Sequence, residues 1–172
     1  MKQITQTVID AGWGNCYTAC ICSIFELDLS HMPVLPSREE IQRRADTKEP
    51  SDRNFEDERR NAWHKMWNDW FEANNLQRVA FDVNLFSSYS RRNLGCYHII
   101  NGPSPRDPEQ NKGGYGYDGM LHSVVGRKGL IIWDPHPSRV GLLAIDSYEL
   151  IVPTDPARPI LEGYRATEAA RC

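Results

Sequence analysis

Cys16 is the residue in this sequence best placed to act as a nucleophile. It follows the turn-forming stretch Gly12-Trp13-Gly14-Asn15 and opens a run to Leu27 whose apolar residues recur at helical spacing. A thiol at a helix start lies among unpaired backbone N–H groups and at the positive end of the helix dipole, which lower its pKa. Free cysteines are also common packing residues, and this is our interpretation of Cys20 and Cys22.

His122 and Asp134 are the residues that we expect to activate this thiol. His122 stands in an apolar strand pattern, and Asp134 ends the next one, beyond a turn at 127–129. In a hairpin, both residues are six positions from Lys128 and lie opposite each other. The carboxylate would bind one imidazole nitrogen, fix the tautomer and leave the other nitrogen for the thiol. The alternative is that His122 is an ordinary buried core residue.

A cysteine, a histidine and a carboxylate in this arrangement perform acyl transfer through a thioester. The oxyanion would be held by the backbone N–H of Cys16 and by a second donor. We expect Gln6 to be that donor, with Asn15 as the alternative. His98 and His136 are alternative bases, but His98 has no equally well-placed carboxylate and His136 lies in a proline-flanked turn.

Two proline-rich segments follow predicted strands and are candidates for substrate contacts. They read Asn-Gly-Pro-Ser-Pro-Arg at 101–106 and Asp-Pro-His-Pro-Ser-Arg at 134–139. We expect their polar side chains to face one cleft, namely Ser104, Arg106, His136 and Arg139. Arginine binds carboxylates in a bidentate fork, which would suit an acidic group on the substrate. The alternative is that the prolines form rigid turns and the arginines are solvated.

The combined motifs resemble the papain-like superfamily of cysteine peptidases and amidases. Gly-Asn-Cys-x-x-Ala-Cys opens a helix, His-Ser-Val-Val follows, and a later strand ends in Asp-Pro. This order is most similar to the C39-like peptidases, in which Gln, Cys, His and Asp follow one another. The chain also resembles small bacterial and phage proteins with the two proline-rich segments. The resemblance covers Gln6 to about Val140 and implies a papain-like fold with catalytic Gln6, Cys16, His122 and Asp134.

Two features depart from that family pattern. The family's glutamine usually lies about six residues before the cysteine, whereas here position 10 is aspartate and Gln6 lies ten residues before Cys16. The residue after the cysteine is Tyr17 rather than the usual glycine. We therefore expect Tyr17 and Asn15 to line the substrate site and to change the shape of substrate that fits beside the sulfur.

The order of elements predicts an α+β fold with N-terminal helices packed on an antiparallel sheet. Beyond the Cys16 helix, Ser37 and Glu40 form a capping box for a second helix, and an aromatic stripe from Phe55 to Ala73 predicts a third that packs on the sheet. Strand patterns cover 77–83, 95–101, 120–127, 130–134 and 147–153, and a long loop spans 102–119. We expect one catalytic domain over 1–153 and a polar tail over 154–172 that wraps the surface or frays.

Composition excludes several function classes. The net charge of −3 and scattered basic residues give no bulk electrostatic attraction to nucleic acid or to a membrane surface. No apolar run is long enough to span a membrane, and the first ten residues lack a signal-peptide pattern. Five cysteines, three of them within seven residues, form neither a disulfide framework nor a zinc motif. We expect a soluble, cytoplasmic protein without a cofactor or metal.

The sequence therefore predicts a cysteine-dependent hydrolase of a peptide, isopeptide or γ-glutamyl-type amide. An acyltransferase or transglutaminase-like enzyme would use the same triad, and the two differ in how well the cleft excludes water. Another alternative is a binding protein of phage type that has kept the fold and lost turnover. A further alternative is a metal hydrolase with Cys16, His122 and Asp134 as ligands.

Overall fold

The structure is a computed structural model that describes residues 1–10, 13–47, 52–84, 92, 94–106 and 121–162. Along the chain, the helices precede the strands. The helices are α1 (Cys16–Phe25), α2 (Arg38–Ala45) and α3 (Asp52–Ala73), with a short 3-10 turn at Leu29–His31. The strands are β1 (Leu76–Asp82), β2 (Tyr97–Pro103), β3 (Leu121–Arg127), β4 (Leu130–Trp133) and β5 (Ser147–Pro153). The predicted α+β class is confirmed, and the described strand ends lie within two residues of their predicted positions.

The five strands form an antiparallel sheet in the order β1-β5-β2-β3-β4. β3 is therefore an inner strand, and its His122 lies opposite Gly102 of β2. β2 is two residues longer at its end than predicted, so Gly102 and Pro103 belong to the sheet and not to the loop. The remainder of that predicted loop, from 107 onward, lies outside the described residues.

The β3–β4 hairpin turns at Lys128 and Gly129. Both have positive φ, 55° and 74°, as the two central residues of a type I′ turn require. Gly126 pairs with Ile131, but Val125 pairs with Trp133, so a bulge lies between these two pairs. The predicted register, symmetric about Lys128, is wrong because the turn has two central residues and the bulge shifts the pairing once more.

Helix α1 is the element that joins the nucleophile to the sheet. It packs against β3 and β2, and four consecutive residues, Ala19 to Cys22, are fully buried. The interpretation of Cys20 and Cys22 as packing residues is confirmed by this burial. The helix ends at Phe25, earlier than predicted, because Glu26 adopts the left-handed conformation at the C-cap with φ of 61°.

The chain divides into two compact units, which differs from the single domain and tail predicted. The first unit comprises Met1–Met32 and Arg78–Ile151, and the second comprises Pro33–Gln77 and Val152–Cys172. Within the second unit, Asn75 binds the backbone of Asp155 and Arg158, and Leu161 is buried. The predicted tail is therefore packed as far as Leu161, and positions 163–172 lie outside the described residues.

The second unit contains α2 and α3, which pack against each other. The side chain of Ser37 accepts a hydrogen bond from the backbone N–H of Glu40, as the capping box predicts. The Glu40 carboxylate binds Arg43 and Arg44 instead of reaching back to the cap. Trp67 and Phe71 of the predicted aromatic stripe are buried, and their ring centres lie 5.5 Å apart.

Candidate active site

Cys16 is the first residue of α1, and its sulfur lies beside His122 of β3. His122 hydrogen-bonds the sulfur, as do the backbone N–H groups of Tyr17 and Ser123. Burial alone would raise the pKa of this thiol. The hydrogen bond and charge of His122, together with the two backbone N–H groups, outweigh burial and lower the pKa of Cys16 below its ordinary value. The environment therefore favours the thiolate.

Asp134 holds the other side of the His122 ring. His122 Nε2 lies 2.7 Å from Asp134 Oδ1, and both side chains are buried. Because Nε2 is bonded to the carboxylate, Nδ1 is the nitrogen available to the sulfur of Cys16. Burial lowers the pKa of His122, but the hydrogen bonds to Asp134 and Cys16 outweigh burial and raise it. The ring thus keeps its positive charge to a higher pH than an ordinary histidine.

The Asp134 carboxylate has four hydrogen-bond donors. Oδ1 accepts from His122 and from the backbone N–H of His136 at 2.8 Å. Oδ2 accepts from Arg106 Nη2 at 2.7 Å and from the backbone N–H of Gly141 at 2.8 Å. Burial raises the pKa of this carboxyl, but its hydrogen bonds to His122 and to the backbone outweigh burial and hold the pKa far below its usual value. Asp134 is therefore ionised and fixed in orientation.

The contact between His122 and Asp134 survives the change of register because Asp134 lies beyond the end of β4. β4 ends at Trp133, so Asp134 is not paired with a residue of β3, and the shift in register does not decide where its side chain lies. Its side chain is oriented instead by the backbone N–H groups of the loop that follows. The structure thus brings together the three side chains that the sequence selects.

A cleft of about 280 Å³ lies beside Cys16 and His122. Ile9 and Leu121 supply apolar surface to it, and the main chain approaches at Gly14. Its polar walls are formed by Gln6, Asp10, Arg106, His136 and Ser138. The nucleophile and its histidine therefore open onto a space large enough for part of a small substrate.

Gln6 lies in this cleft, as predicted, although it is ten residues before Cys16. Its backbone N–H donates to Pro135 O at 2.9 Å, which ties the N-terminal segment to the loop after β4. Its Nε2 donates to Val8 O at 3.0 Å, and Oε1 is buried without a hydrogen-bond partner among the described residues. Gly14 N donates to Asp10 O at 3.0 Å, so the chain comes back close to Asp10 before α1 begins.

Asn15 holds the N-terminal segment against the start of α1. Its Oδ1 accepts from the backbone N–H groups of Thr7 and Val8, each at 3.0 Å, and Nδ2 donates to Thr7 Oγ1. Its own backbone N–H donates to Val8 O. The side chain thus contacts this segment rather than the cleft, and this network positions Gln6, two residues before Val8.

Tyr17 does not line the cleft, contrary to our expectation. The side chain is buried, and its hydroxyl donates to the Glu149 carboxylate on β5, with Arg78 close by. Burial is the main cause that raises the pKa of Glu149. Helix geometry explains the difference, because consecutive helical residues point about 100° apart and only Cys16 can face the cleft.

Arg106 lies at the cleft but is engaged by protein groups. Its guanidinium binds Asp134, Nε donates to Ser138 Oγ at 3.0 Å, and Nη1 donates to Ser104 Oγ at 3.3 Å. Ser104 is fully buried, so it supports Arg106 and has no surface for a substrate. We expected Arg106 to bind a substrate carboxylate, but its guanidinium nitrogens are hydrogen-bonded to Asp134, Ser138 and Ser104.

Arg139 is not part of the cleft wall. Its guanidinium donates to the backbone carbonyls of Asp134 and His136, and Nη2 donates to Thr5 Oγ1 at 2.8 Å. It also stacks 3.8 Å from the centre of the Trp133 ring. Arg139 was predicted to face the substrate cleft, but its hydrogen bonds join the N-terminal segment to the loop after β4.

The two alternative histidines occupy different places. His98 is fully buried on β2, with Nδ1 3.1 Å from Cys96 O and its ring against Tyr148. His136 lines the cleft, and its ring centre is 6.2 Å from that of His122. Only His122 joins the sulfur of Cys16 to a carboxylate among the described histidines.

Sequence reasoning missed two contributors to the site. The backbone N–H of Ser123 hydrogen-bonds the Cys16 sulfur, and Ser138 joins Arg106 to His136. A backbone group leaves no trace in residue type, so nothing in the sequence could indicate Ser123. Ser138 was detectable, because it stands in the same Asp-Pro-His-Pro-Ser-Arg motif as His136.

Comparisons with protein-family models, with curated proteins and with solved structures find no match.

In the described part of the chain, no helix is long and apolar enough to cross a membrane. The described His, Cys, Asp and Glu side chains form no group of three or more that could hold a metal ion. His122 lies between Cys16 and Asp134, so these three form a hydrogen-bonded chain. The function proposed below is based on the arrangement of these three side chains.

Proposed function

We propose that this protein is a cysteine-dependent hydrolase that cleaves an amide through a thioester of Cys16. The observation that supports it is the hydrogen-bonded chain from Cys16 through His122 to an ionised Asp134, at the wall of a cleft. A lowered thiol pKa beside a raised imidazole pKa favours a thiolate and an imidazolium at neutral pH. The substrate classes that we propose are peptide, isopeptide and γ-glutamyl-type amides.

The reaction begins when the Cys16 sulfur attacks the carbonyl carbon of the amide. The carbonyl oxygen becomes an oxyanion, and the backbone N–H of Cys16 is one donor to it. Gln6 Nε2 carries a second hydrogen besides the one donated to Val8 O, and this hydrogen is the other donor. Gln6 is held for this role by Pro135 and by the Asn15 network.

The tetrahedral intermediate collapses when the C–N bond breaks and His122 gives its proton to the leaving amine. The acyl group stays on Cys16 as a thioester. A water molecule then gives a proton to His122 and attacks the thioester carbonyl, which releases the acid and restores the thiol and imidazole pair. Asp134 remains ionised throughout and keeps Nδ1 of His122 directed at the reacting atoms.

Fold and compartment follow as part of this proposal. The order Gln6, Cys16, His122 and Asp134, with α1 packed on an antiparallel sheet, is that of the papain-like superfamily. The described cysteines are free thiols, which suits a reducing compartment such as the cytoplasm.

The test uses p-nitrophenyl acetate as a generic acyl donor. We expect a burst of nitrophenolate equal to the enzyme concentration, an acetyl group on Cys16 in peptide-resolved mass spectrometry, and slow turnover afterwards. Cys16→Ala abolishes the burst, whereas Cys96→Ala, at an exposed cysteine, is the matched control and retains it. Equal acetylation of all cysteines with no burst would refute the proposal.

An acyltransferase with the same residues is the second candidate, because an amine can replace water in the second half of the reaction. Adding an amine during turnover separates the two activities. Formation of more amide than acid at millimolar amine would identify a transferase, and acid as the main product identifies the hydrolase. A stable acetyl-Cys16 that no nucleophile releases would identify a binding protein instead.

A further inference from the structure

His136 is held as one tautomer by its hydrogen bonds. Its Nδ1 lies 3.0 Å from the backbone nitrogen of Ser138 and 2.8 Å from Ser138 Oγ. The backbone N–H can only donate, so Nδ1 must be an acceptor. Arg106 Nε donates to the same Oγ, which leaves the Ser138 hydroxyl proton for Nδ1. The ring proton of a neutral His136 is therefore on Nε2.

The His136 ring also stays neutral. Burial lowers its pKa, and the positive charge of Arg106 lowers it further. Protonation at Nδ1 would replace the acceptor of the Ser138 N–H by a second donor. His136 thus presents an N–H donor at Nε2 and no charge.

The cleft places this donor beside His122. The two ring centres are 6.2 Å apart and the rings are nearly perpendicular, at 87°. Nε2 of His136 has no hydrogen-bond partner among the described residues, while the ring lines the cleft with Cys16 and His122. A polar group that is fixed, neutral and unpaired in a cleft is suited to a ligand acceptor.

The proposed reaction fixes which part of the substrate lies there. His122 must hand its proton to the leaving nitrogen, so the leaving amine lies next to the His122 ring. Groups attached to that nitrogen extend toward the neighbouring wall, where His136 stands. In an amino acid or peptide, the carbonyl or carboxylate oxygen is separated from the nitrogen by two carbons, the Cα and the carbonyl carbon, which places it within the reach of a donor about one ring away.

We propose that His136 is a specificity residue whose Nε2–H donates to the carbonyl or carboxylate oxygen next to the leaving nitrogen. The leaving group is then an amino acid or a peptide rather than ammonia or a simple alkylamine. This inference rests on the proposed function, because it assumes the Cys16 thioester. Arg106 and Ser138 are positioning residues, since they act through the His136 tautomer.

The test runs the amine half of the reaction in reverse, since an added amine occupies the same place as the leaving amine. Acetyl-Cys16 is formed with p-nitrophenyl acetate, and glycinamide or propargylamine, which has no acceptor oxygen, is added. The amine nitrogen attacks the thioester carbon, the C–S bond breaks, and the amine proton passes through His122 to the sulfur. The products are an N-acetyl amine and the free thiol. Rates are compared at equal concentrations of unprotonated amine.

We expect the wild-type acyl-enzyme to react faster with glycinamide than with propargylamine. In His136→Leu, which has no donor, this preference falls by about threefold to tenfold, the range for one hydrogen bond. His136→Gln keeps an N–H donor and restores part of the preference. His31→Leu, at an exposed histidine outside the cleft, is the matched control and keeps the full preference.

The outcomes separate this inference from the proposed function. If acetyl-Cys16 forms but the wild type shows no preference, or if His136→Leu keeps the preference, the inference is overturned while the proposed function stands. If acetyl-Cys16 does not form at all, the proposed function fails and the inference fails with it. Circular dichroism and the burst amplitude show that each variant is folded and acylated.

Discussion

At the scale of single residues, the site is a chain of hydrogen-bonded side chains. The Cys16 sulfur, the His122 ring, the Asp134 carboxylate and the Arg106 guanidinium follow one another. The pKa values of Cys16 and Asp134 are lowered and that of His122 is raised, because hydrogen bonds to the neighbouring groups outweigh burial. Arg106 binds the Asp134 oxygen that His122 leaves open.

The reactivity of Cys16 at low pH tests the first link of this chain. Since His122 lowers the pKa of the thiol, Cys16 reacts with iodoacetamide at about pH 6, where an ordinary thiol is protonated. In His122→Gln the positive charge is absent, and we expect the rate at Cys16 to fall by about tenfold or more, one pKa unit being tenfold. Peptide-resolved mass spectrometry measures it, with the exposed Cys96 as internal reference. An unchanged rate at Cys16 would disprove the link.

Asp134→Asn tests the second link through the pH dependence of stability. The folded-state pKa of Asp134 is lowered, so its contribution is present above its ordinary pKa of 3.8 and is lost as pH falls toward the lowered value. The pKa of His122 is raised, so its contribution is lost as pH rises through that raised value. We expect the variant to be destabilised by about 3–5 kcal/mol near pH 6 and by less near pH 3.

Urea unfolding at the two pH values measures this difference. Asp146→Asn serves as the matched control, because this acidic residue makes no hydrogen bond to Cys16, His122 or Asp134 in the described part of the chain. Equal destabilisation by Asp134→Asn at both pH values would mean that its charge does not stabilise the fold.

At the scale of elements, β2 and the loop that precedes β5 approach each other closely through their backbones. Gly102 lies opposite His122, and a Cβ at this glycine would stand 2.1 Å from the carbonyl oxygen of Ala144. Because both atoms belong to or are bonded to the backbone, a contact this short can be relieved only if one of the two backbone segments moves. The loop that contains Ala144 is held to β2 by Leu143 N, which donates to Pro103 O, and by Asp146 N, which donates to Asn101 O.

Gly102→Ala therefore displaces this loop or β2, the strand that pairs with β3 at His122. We expect a loss of about 1–3 kcal/mol of stability, as for other overpacked sites, and a slower burst with p-nitrophenyl acetate. Gly95→Ala is the matched control, because a Cβ there meets nothing within 4 Å, and its stability stays within about 0.5 kcal/mol of wild type. Thermal and urea unfolding measure both. Equal stability of the two variants would contradict the close approach.

At the scale of the whole molecule, the candidate site lies entirely within the first unit. Gln6, Cys16, His122, Asp134 and His136 all fall in Met1–Met32 or Arg78–Ile151. The second unit is held in part by Asn75, which has φ of 56° and binds Asp155 N, Asp155 O and Arg158 O through its side chain. The stability of the second unit can therefore be changed without touching the site.

Substitution of Asn75 separates the two units experimentally. Asn75→Gly keeps the left-handed backbone and removes the side-chain hydrogen bonds, with an expected loss of about 1–3 kcal/mol. Asn75→Ala adds about 1–2 kcal/mol of backbone strain. Hydrogen exchange should show faster exchange in Pro33–Gln77, while the alkylation rate of Cys16 stays at its wild-type value. Equal loss of protection in both units would show that they unfold as one.

Local patterns were sufficient for most of the secondary structure. The Ser37 cap, the two turn residues at Lys128 and Gly129, and the five strand patterns depend on residues close in sequence. The register of β3 and β4 was not predictable, because a bulge depends on the packing of both faces of a strand. The grouping of α3 with α2 was missed for a similar reason, since an aromatic stripe shows that a helix is buried but not against what.

The sequence by itself determined which side chains could do chemistry, because a thiol at a helix start, a histidine in a strand and an aspartate before proline are properties of local pattern. Only the tertiary structure decided what each polar side chain contacts. Arg106, Arg139, Asn15 and Tyr17 were all expected at the substrate, and they bind protein groups instead. The physical reason is that a hydrogen-bonding side chain takes whichever partner folding brings within about 3 Å, and that partner lies up to 134 residues away in the chain.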